Sequence, residues 1–374
     1  MKQRVGLIIN PVAGMGGSVG LKGSDGAEVF KRALELGAKP RSGARAALAL
    51  NELVPLKENI VILTGPGDMG ETLAQSMGFE TVVLPVGSGA FGNTTPDDTI
   101  ALASQMKAQG VKVIIFAGGD GTARNIFTAV GDDQMVIGIP AGVKIHSAVY
   151  AINPRSAGAL AADVLLEKSS GCELGEVMDI DEEQFRQGII TARLFGYMQI
   201  PYTRKHLQGG KVSSRGEDRG AVGGIARIVC QDMLEDTLYI VGSGSTTAAI
   251  MAELGVKNTL LGVDAVVNKK VIGNDLNENQ LLELLKEYPN RRIIVTPIGG
   301  QACLFGRGNQ QISPAVIKEV GRENIIVVAT KSKIDSFYGK QMLVDSGDDQ
   351  VNEMLRGYIR VVVSYGQESV VKIG

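Results

Sequence analysis

Val113-Ile114-Ile115-Phe116-Ala117-Gly118-Gly119-Asp120-Gly121-Thr122-Ala123-Arg124-Asn125-Ile126-Phe127 decides how this chain is to be read. Five apolar residues run into a glycine turn, and a helical pattern follows. A strand, a glycine turn and a helix in that order point backbone N–H groups at an anion, because the first turn of a helix leaves its donors unpaired. One carboxylate sits inside the turn. Asp120 would repel a phosphate, so its presence asks for a chemical reason. Two are open: holding a metal, or accepting a proton from a hydroxyl about to be phosphorylated. A plain helix cap is the competing structural reading.

Working outward, the same layout recurs. Residues 4–10 read as a buried strand that runs into Asn10-Pro11 and a glycine cluster. Residues 27–36 and 44–51 read as helices, and 59–64 and 80–85 as strands. Thr95-Pro96-Asp97-Asp98 opens a helix that runs through residue 109, with Thr95 as cap, Pro96 at the first helical position and Asp98 closing a capping box. Residues 135–139 form a further strand, which ends in Pro140-Ala141-Gly142-Val143-Lys144-Ile145-His146-Ser147. This alternation predicts a parallel sheet with helices on both faces. The carboxyl ends of such strands share one edge, and loops gathered there bind ligands. Arg124, Asn125, Gly142 and Lys144 are therefore candidate phosphate contacts beside the opening turn. His146, one of only two histidines, reads more readily as structural.

From residue 172 the pattern changes. Residues 176–180, 188–197 and 226–231 read as β segments. Between them, 202–224 reads as an exposed loop carrying Arg204, Lys205, Lys211, Arg215 and Arg219, a solvated stretch or a lid over an anionic substrate. After residue 236 strands and helices alternate again: strand 237–241, helix 248–254, helix 279–288, strand 292–296, helix 313–320, strand 324–329, then a β-rich tail at 357–364. Gly242-Ser243-Gly244-Ser245-Thr246-Thr247 packs hydroxyls between a strand and a helix, which suits phosphate or ribose. The amide-rich run Gly306-Arg307-Gly308-Asn309-Gln310-Gln311, with Gly299-Gly300-Gln301, suits base edges or sugar hydroxyls. The expected organisation is an α/β nucleotide-binding domain over 1–171. A β-containing domain with additional α/β material, for substrate binding and oligomerisation, would fill 172–374.

Composition narrows the class. With 374 residues and 44% apolar content the chain is globular, at roughly two domains of ~150 residues. Its 38 basic and 40 acidic residues balance, which argues against nucleic acid as partner. Three scattered cysteines without a C-x-x-C pair fit a reducing, cytoplasmic setting and argue against a cysteine-built zinc site. The first residues read as a buried strand rather than a signal peptide, and no run of ~18 apolar residues suggests a membrane span. No G-x-x-x-x-G-K-[ST], G-x-S-x-G or H-E-x-x-H motif occurs, so a P-loop enzyme is excluded.

Three stretches together resemble the NAD kinase and diacylglycerol kinase superfamily: Asn10-Pro11-Val12-Ala13-Gly14, the turn from Gly118 to Thr122, and Ile137-Gly138-Ile139-Pro140-Ala141-Gly142. There, an N-P-x-x-G strand end, a G-G-D-G-T turn and a P-x-G loop line one nucleotide site. Gly244-Ser245-Thr246 resembles the T-G-S-T-A stretch of NAD kinases. With Gly262-Val263-Asp264 and residues 305–311, the whole looks most like the acetoin-cluster branch of ATP-NAD kinases. The resemblance implies transfer of the ATP γ-phosphoryl group to the 2′-hydroxyl of NAD, giving NADP, with Mg²⁺ or another divalent cation, in a homo-oligomer. It implies Asp120 as the acidic residue near the acceptor hydroxyl. Asn10, Gly118, Gly119, Gly121 and Thr122, and also Gly244, Ser245 and Thr246, would serve the nucleotide. Two features depart from the pattern. Ile228-Val229-Cys230-Gln231 stands where NAD kinases carry an N-E pair for the substrate ribose, and 237–329 holds more α/β material than the family's usual all-β second domain. Another nucleoside, sugar or small alcohol is the alternative acceptor, and a non-catalytic nucleotide-binding regulator the alternative class.

Overall fold

Strands rich in Val and Ile, apolar at nearly every position, are suited to burial on both faces of a parallel sheet. In the computed structural model β1 (Gln3–Ile9), β2 (Ile60–Thr64), β3 (Thr81–Val83), β4 (Val113–Gly118) and β5 (Val136–Pro140) pair in the order β3-β2-β1-β4-β5, every pair parallel. The structure describes residues 2–17, 19–21, 27–142, 145–168, 171–180, 192–202, 218–259, 262–298, 302–337 and 341–374. Around this sheet lie α1 (Ala27–Glu35), α2 (Ser42–Asn51), α3 (Glu71–Ser76), α4 (Pro96–Ala108), α5 (Asp120–Val130) and α6 (Pro154–Leu165).

The side-chain period of two divides β1 between two cores. Leu7 and Ile9 pack with Leu50 of α2 and Leu160 of α6, whereas Ile8 packs with Met106 of α4 and Ile126 of α5. Each fully buried aliphatic side chain stabilises the fold by about 1.5–3 kcal/mol. Helix α4 begins as its sequence predicts: Thr95 accepts the Asp98 N–H, and Asp98 returns a bond to the cap. The chain leaves β1 toward β2 and β3, then comes back to β4 and β5 on the other side. Between β1 and β4 the strand order reverses, and the crevice at such a point is where open α/β sheets take their ligands.

The chain divides into two compact units: residues 1–16 with 23–210, and 17–22 with 211–374. The sequence places a domain boundary at 171/172, yet the antiparallel ribbon β6 (Cys172–Ile180) and β7 (Ala192–Pro201) sits with the first unit. Its residues Val177, Met198 and Ile200 complete the core around Phe116, Ile126 and Tyr150, a tertiary pairing with no local signal.

In the second unit α7 (Asp218–Gln231) precedes β8 (Leu238–Val241), α8 (Ser245–Glu253), β9 (Asp264–Val267), β10 (Lys270–Gly273), α9 (Glu278–Glu287), β11 (Arg291–Val295) and β12 (Cys303–Phe305). Then come α10 (Pro314–Val320), β13 (Ile325–Val328), α11 (Lys331–Asp335), β14 (Gln341–Val344), α12 (Asp349–Leu355), β15 (Gly357–Ser364) and β16 (Gln367–Ile373). Nine strands form one mixed sheet, β10-β9-β8-β11-β13-β15-β16-β14-β12, in which β8, β11, β13 and β15 run parallel. The α/β alternation read from 237 onward is thus a sheet of its own. The β segment expected at 226–231 is helical instead. Ile225, Ala226, Val229 and Cys230 are buried together, the three-to-four-residue spacing of one helix face. Residues 218–224 open the same helix rather than continue a loop, while 203–217, with most of the basic stretch, lie outside the described residues. No helix among the described residues is long and apolar enough to cross a membrane.

Candidate active site

The loops after β1, β4 and β5 meet at the switch point of the first unit. Their backbones lock first. Asn10 N–H donates to the Ala117 carbonyl (2.9 Å), and the Ala141 and Gly142 N–H groups both donate to the Gly118 carbonyl (2.9 and 3.0 Å). Asn10 Nδ2 then donates to Thr122 Oγ1 (3.1 Å), tying the Asn-Pro strand end to the start of α5. Arg45, from α2, donates to the Pro140 carbonyl.

Glycine is required here by approach rather than by turn type. A Cβ on Gly142 would lie 2.8 Å from the Gly119 Cα, and one on Gly119 would lie 3.3 Å from the Gly142 Cα. The two backbones therefore touch with no room for a side chain. That helix starts at Asp120 with Gly119 as its cap residue and no side-chain cap on its N–H groups.

Asp120 is 8% exposed and does not cap its own helix. Its carboxylate turns to the loop after β5. Oδ1 accepts the Ser147 N–H (3.0 Å) and the Ser147 hydroxyl (2.7 Å). Oδ2 accepts the His146 N–H (2.8 Å) and lies 3.2 Å from His146 Nδ1. Ser147 Oγ also takes the N–H of Met178 in β6 (3.0 Å), and the Ala148 N–H donates to the Glu176 carbonyl (2.8 Å). The ribbon of the first unit thus holds the loop that holds Asp120. On the other side Tyr150 donates its hydroxyl to the Gly119 carbonyl (2.5 Å) and packs edge-on against Phe116. Burial, aided by the Asp120 charge, holds the Tyr150 phenol well above its ordinary value, so it stays a donor.

Of the residues singled out from sequence, Asn10, Gly118, Gly119, Asp120, Thr122 and Gly142 converge, and Gly121 lies in the first turn of α5. Arg124 stands over the Phe195 ring of β7, 5.7 Å from its centre, and Asn125 follows it on α5, half-buried. Lys144 lies outside the described residues. His146, Ser147 and Tyr150 belong to the cluster although the candidate set lacks them. Only the position of His146-Ser147 just past a strand-end loop pointed to them in the sequence.

Gly244, Ser245 and Thr246 lie in the second unit, between β8 and α8. Gly244 has φ +136° and starts α8 without a side-chain cap. Thr247 Oγ1 donates to the Gly244 carbonyl (2.9 Å), and Ser243 Oγ donates to the Gly308 carbonyl (2.5 Å), which brings the amide-rich run against this turn. A Cβ on Gly244 would strike the Thr296 methyl, and Thr296 Oγ1 accepts from Lys333 Nζ (3.0 Å). Gly299, Gly300 and Gln301 lie outside the described residues.

Among the described residues no three His, Cys, Asp or Glu side chains converge on a metal position. Mg²⁺ keeps much of its water and needs only one or two carboxylates beside substrate phosphates.

Residues 5–168 match the ATP-NAD kinase N-terminal domain, and residues 234–373 match the ATP-NAD kinase C-terminal domain. No curated protein matches the chain. These matched domains mark the chain as a kinase, an enzyme that transfers phosphoryl groups, and the five-stranded parallel domain followed by a mixed-sheet domain is consistent with that two-domain fold. With both domain models of one family matched in order, the chain belongs to the ATP-NAD kinase family, whose phosphoryl donor is ATP.

Proposed function

We propose that this enzyme phosphorylates the adenosine-ribose 2′-hydroxyl of NAD with ATP to give NADP, as a member of the acetoin-cluster branch. The observation that carries the reading is the buried carboxylate of Asp120, fixed at the switch point beside the N-terminus of α5, which has no side-chain cap. Phosphoryl transfer requires little covalent chemistry from a protein. It needs donors for the phosphate charge and a group that readies the hydroxyl. The backbone N–H groups at the start of α5, from Gly119 to Gly121, with Asn10, Gly118, Thr122 and Gly142 framing them, would hold the phosphates. Asp120 would supply the negative charge that activation of the hydroxyl requires. Gly244, Ser245 and Thr246 would take a phosphate or ribose in the second unit. A divalent cation carried by the phosphates would neutralise their charge.

A second reading changes the acceptor to another nucleoside, sugar or small alcohol. It draws support from 228–231, where Val229 and Cys230 are buried in the core as part of α7 in place of a polar ribose-binding pair. Purified enzyme with ATP, Mg²⁺ and NAD, followed by NADP formation, tests the first reading. Steady NADP production supports it. ATP turnover with other alcohols but none with NAD replaces it by the second.

A further inference from the structure

The hydrogen-bond capacity of Asp120 is already spent. An ionised carboxylate offers about four lone-pair positions and no donor. Four donors from two successive residues face them: on Oδ1 the Ser147 N–H and the Ser147 hydroxyl, whose one proton lies nearer Oδ1 (2.7 Å) than the Met178 carbonyl (3.0 Å), and on Oδ2 the N–H and ring Nδ1 of His146. None is left for a substrate hydroxyl. Because a carboxylate only accepts, the contact at 3.2 Å fixes the imidazole as the tautomer with its proton on Nδ1. The basic lone pair then sits on Nε2, which has no partner among the described residues. His146 is 14% exposed at its side chain, shielded yet reachable, and it follows the loop that packs on the glycine turn.

Resting on the reading of this cluster as the place of phosphoryl transfer, we propose that His146 is the catalytic base and that Asp120 is its positioning residue. Nε2 takes the proton of the acceptor hydroxyl. The freed electron pair of that oxygen forms the bond to the γ-phosphorus of ATP, while the bond from that phosphorus to the β,γ-bridging oxygen breaks and ADP leaves with its electrons. The imidazolium so formed faces the Asp120 carboxylate, which stabilises it, and it returns the proton to water. An aspartate that orients and charge-compensates a histidine without itself taking the proton is an established division of labour in hydrolytic triads.

Two measurements test this, and they separate its failure from that of the NAD reading. The first is nitrogen NMR of the full-length ¹⁵N-histidine-labelled protein. With only His146 and His206 to assign, a His206→Gln variant identifies the signals. The expected result is a neutral His146 protonated at Nδ1, with that preference lost in Asp120→Asn. A neutral His146 protonated at Nε2 overturns the proposal. The second is kinetic. Removing a general base costs about 10²–10⁴ in rate. His146→Ala should lose that much in kcat with KM for both substrates within about threefold. The acid limb of the pH–rate profile should vanish with it, and added imidazole should restore part of the rate. Turnover within about fivefold of wild type, or an unchanged acid limb, overturns the proposal. Should wild type make no NADP, the NAD reading fails, and the same kinetic arm is read on transfer to water as ATP hydrolysis, while the tautomer measurement stands unaltered.

Discussion

The molecule uses a strand, a glycine turn and a helix twice, once in each unit, and gives the two turns different equipment. The turn between β4 and α5 contains a buried carboxylate, tied by two neighbouring loops and backed by a tyrosine. The turn between β8 and α8 contains hydroxyls and a glycine at φ +136°, packed against Thr296, to which Lys333 donates. Both leave a helix N-terminus without a side-chain cap. A helix start alone attracts an anion. Only the first turn adds a carboxylate, and that carboxylate holds His146. The difference suggests that the first turn serves the chemical step and the second serves binding.

The sharpest way to break that division is Asp120→Ala. It removes the acceptor of four hydrogen bonds and should lower kcat by about 10³-fold or more, comparable with losses of a triad member. Steady-state NADP formation measures it, and equal turnover by variant and wild type would erase the contrast between the turns. Gly244→Ala comes next. Forcing a Cβ at a positive φ against Thr296 costs the fold about 1–3 kcal/mol unless the turn shifts, and a shifted turn that misplaces its donors should weaken nucleotide binding by up to roughly 5- to 150-fold. The loss should appear in nucleotide KM with kcat within about twofold, and a kcat effect instead would place chemistry at the second turn. The smallest effect belongs to Asn10→Ala. Its two side-chain bonds, to Thr122 and from the Val12 N–H, are worth about 0.5–1.5 kcal/mol each, so the melting temperature should drop by a few degrees. A larger drop would mean that the Asn-Pro strand end carries more of the first turn's rigidity than those two bonds imply.

What could be read in advance followed from local rules. Strand β4, its glycines and the start of α5 stand in one stretch of fifteen residues. The cap at Thr95 needs only four. What escaped depended on distance along the chain. Helix α7 resembled a strand because Ile, Val and Cys cluster at 228–230, and its helical character lay in which of its residues face a core made elsewhere. The ribbon β6–β7 looked like the opening of a new domain until its apolar side chains found Phe116 and Ile126. His146 meets Asp120 across 26 residues of sequence, through a loop that a β-ribbon holds from behind. Nothing local announces such a pair. The plain-cap reading of Asp120 is likewise not met, because Gly119 takes the cap position and the carboxylate turns away from its own helix toward residues 146 and 147.

The buried phenol of Tyr150 has a consequence for proton linkage. In the unfolded chain a tyrosine ionises near pH ~10. In the folded enzyme burial and the neighbouring carboxylate hold it well above that value. Above about pH 10 the unfolded chain therefore binds fewer protons than the folded one, and the free energy of unfolding falls as pH rises. Below that point this group leaves stability flat. Denaturant titrations from pH 8 to 11 should show a decline in the wild type that is shallower in Tyr150→Phe. The latch on the Gly119 carbonyl would thus stay shut until the whole first unit gives way, tying the alkaline limit of the enzyme to its unfolding rather than to a slackened turn.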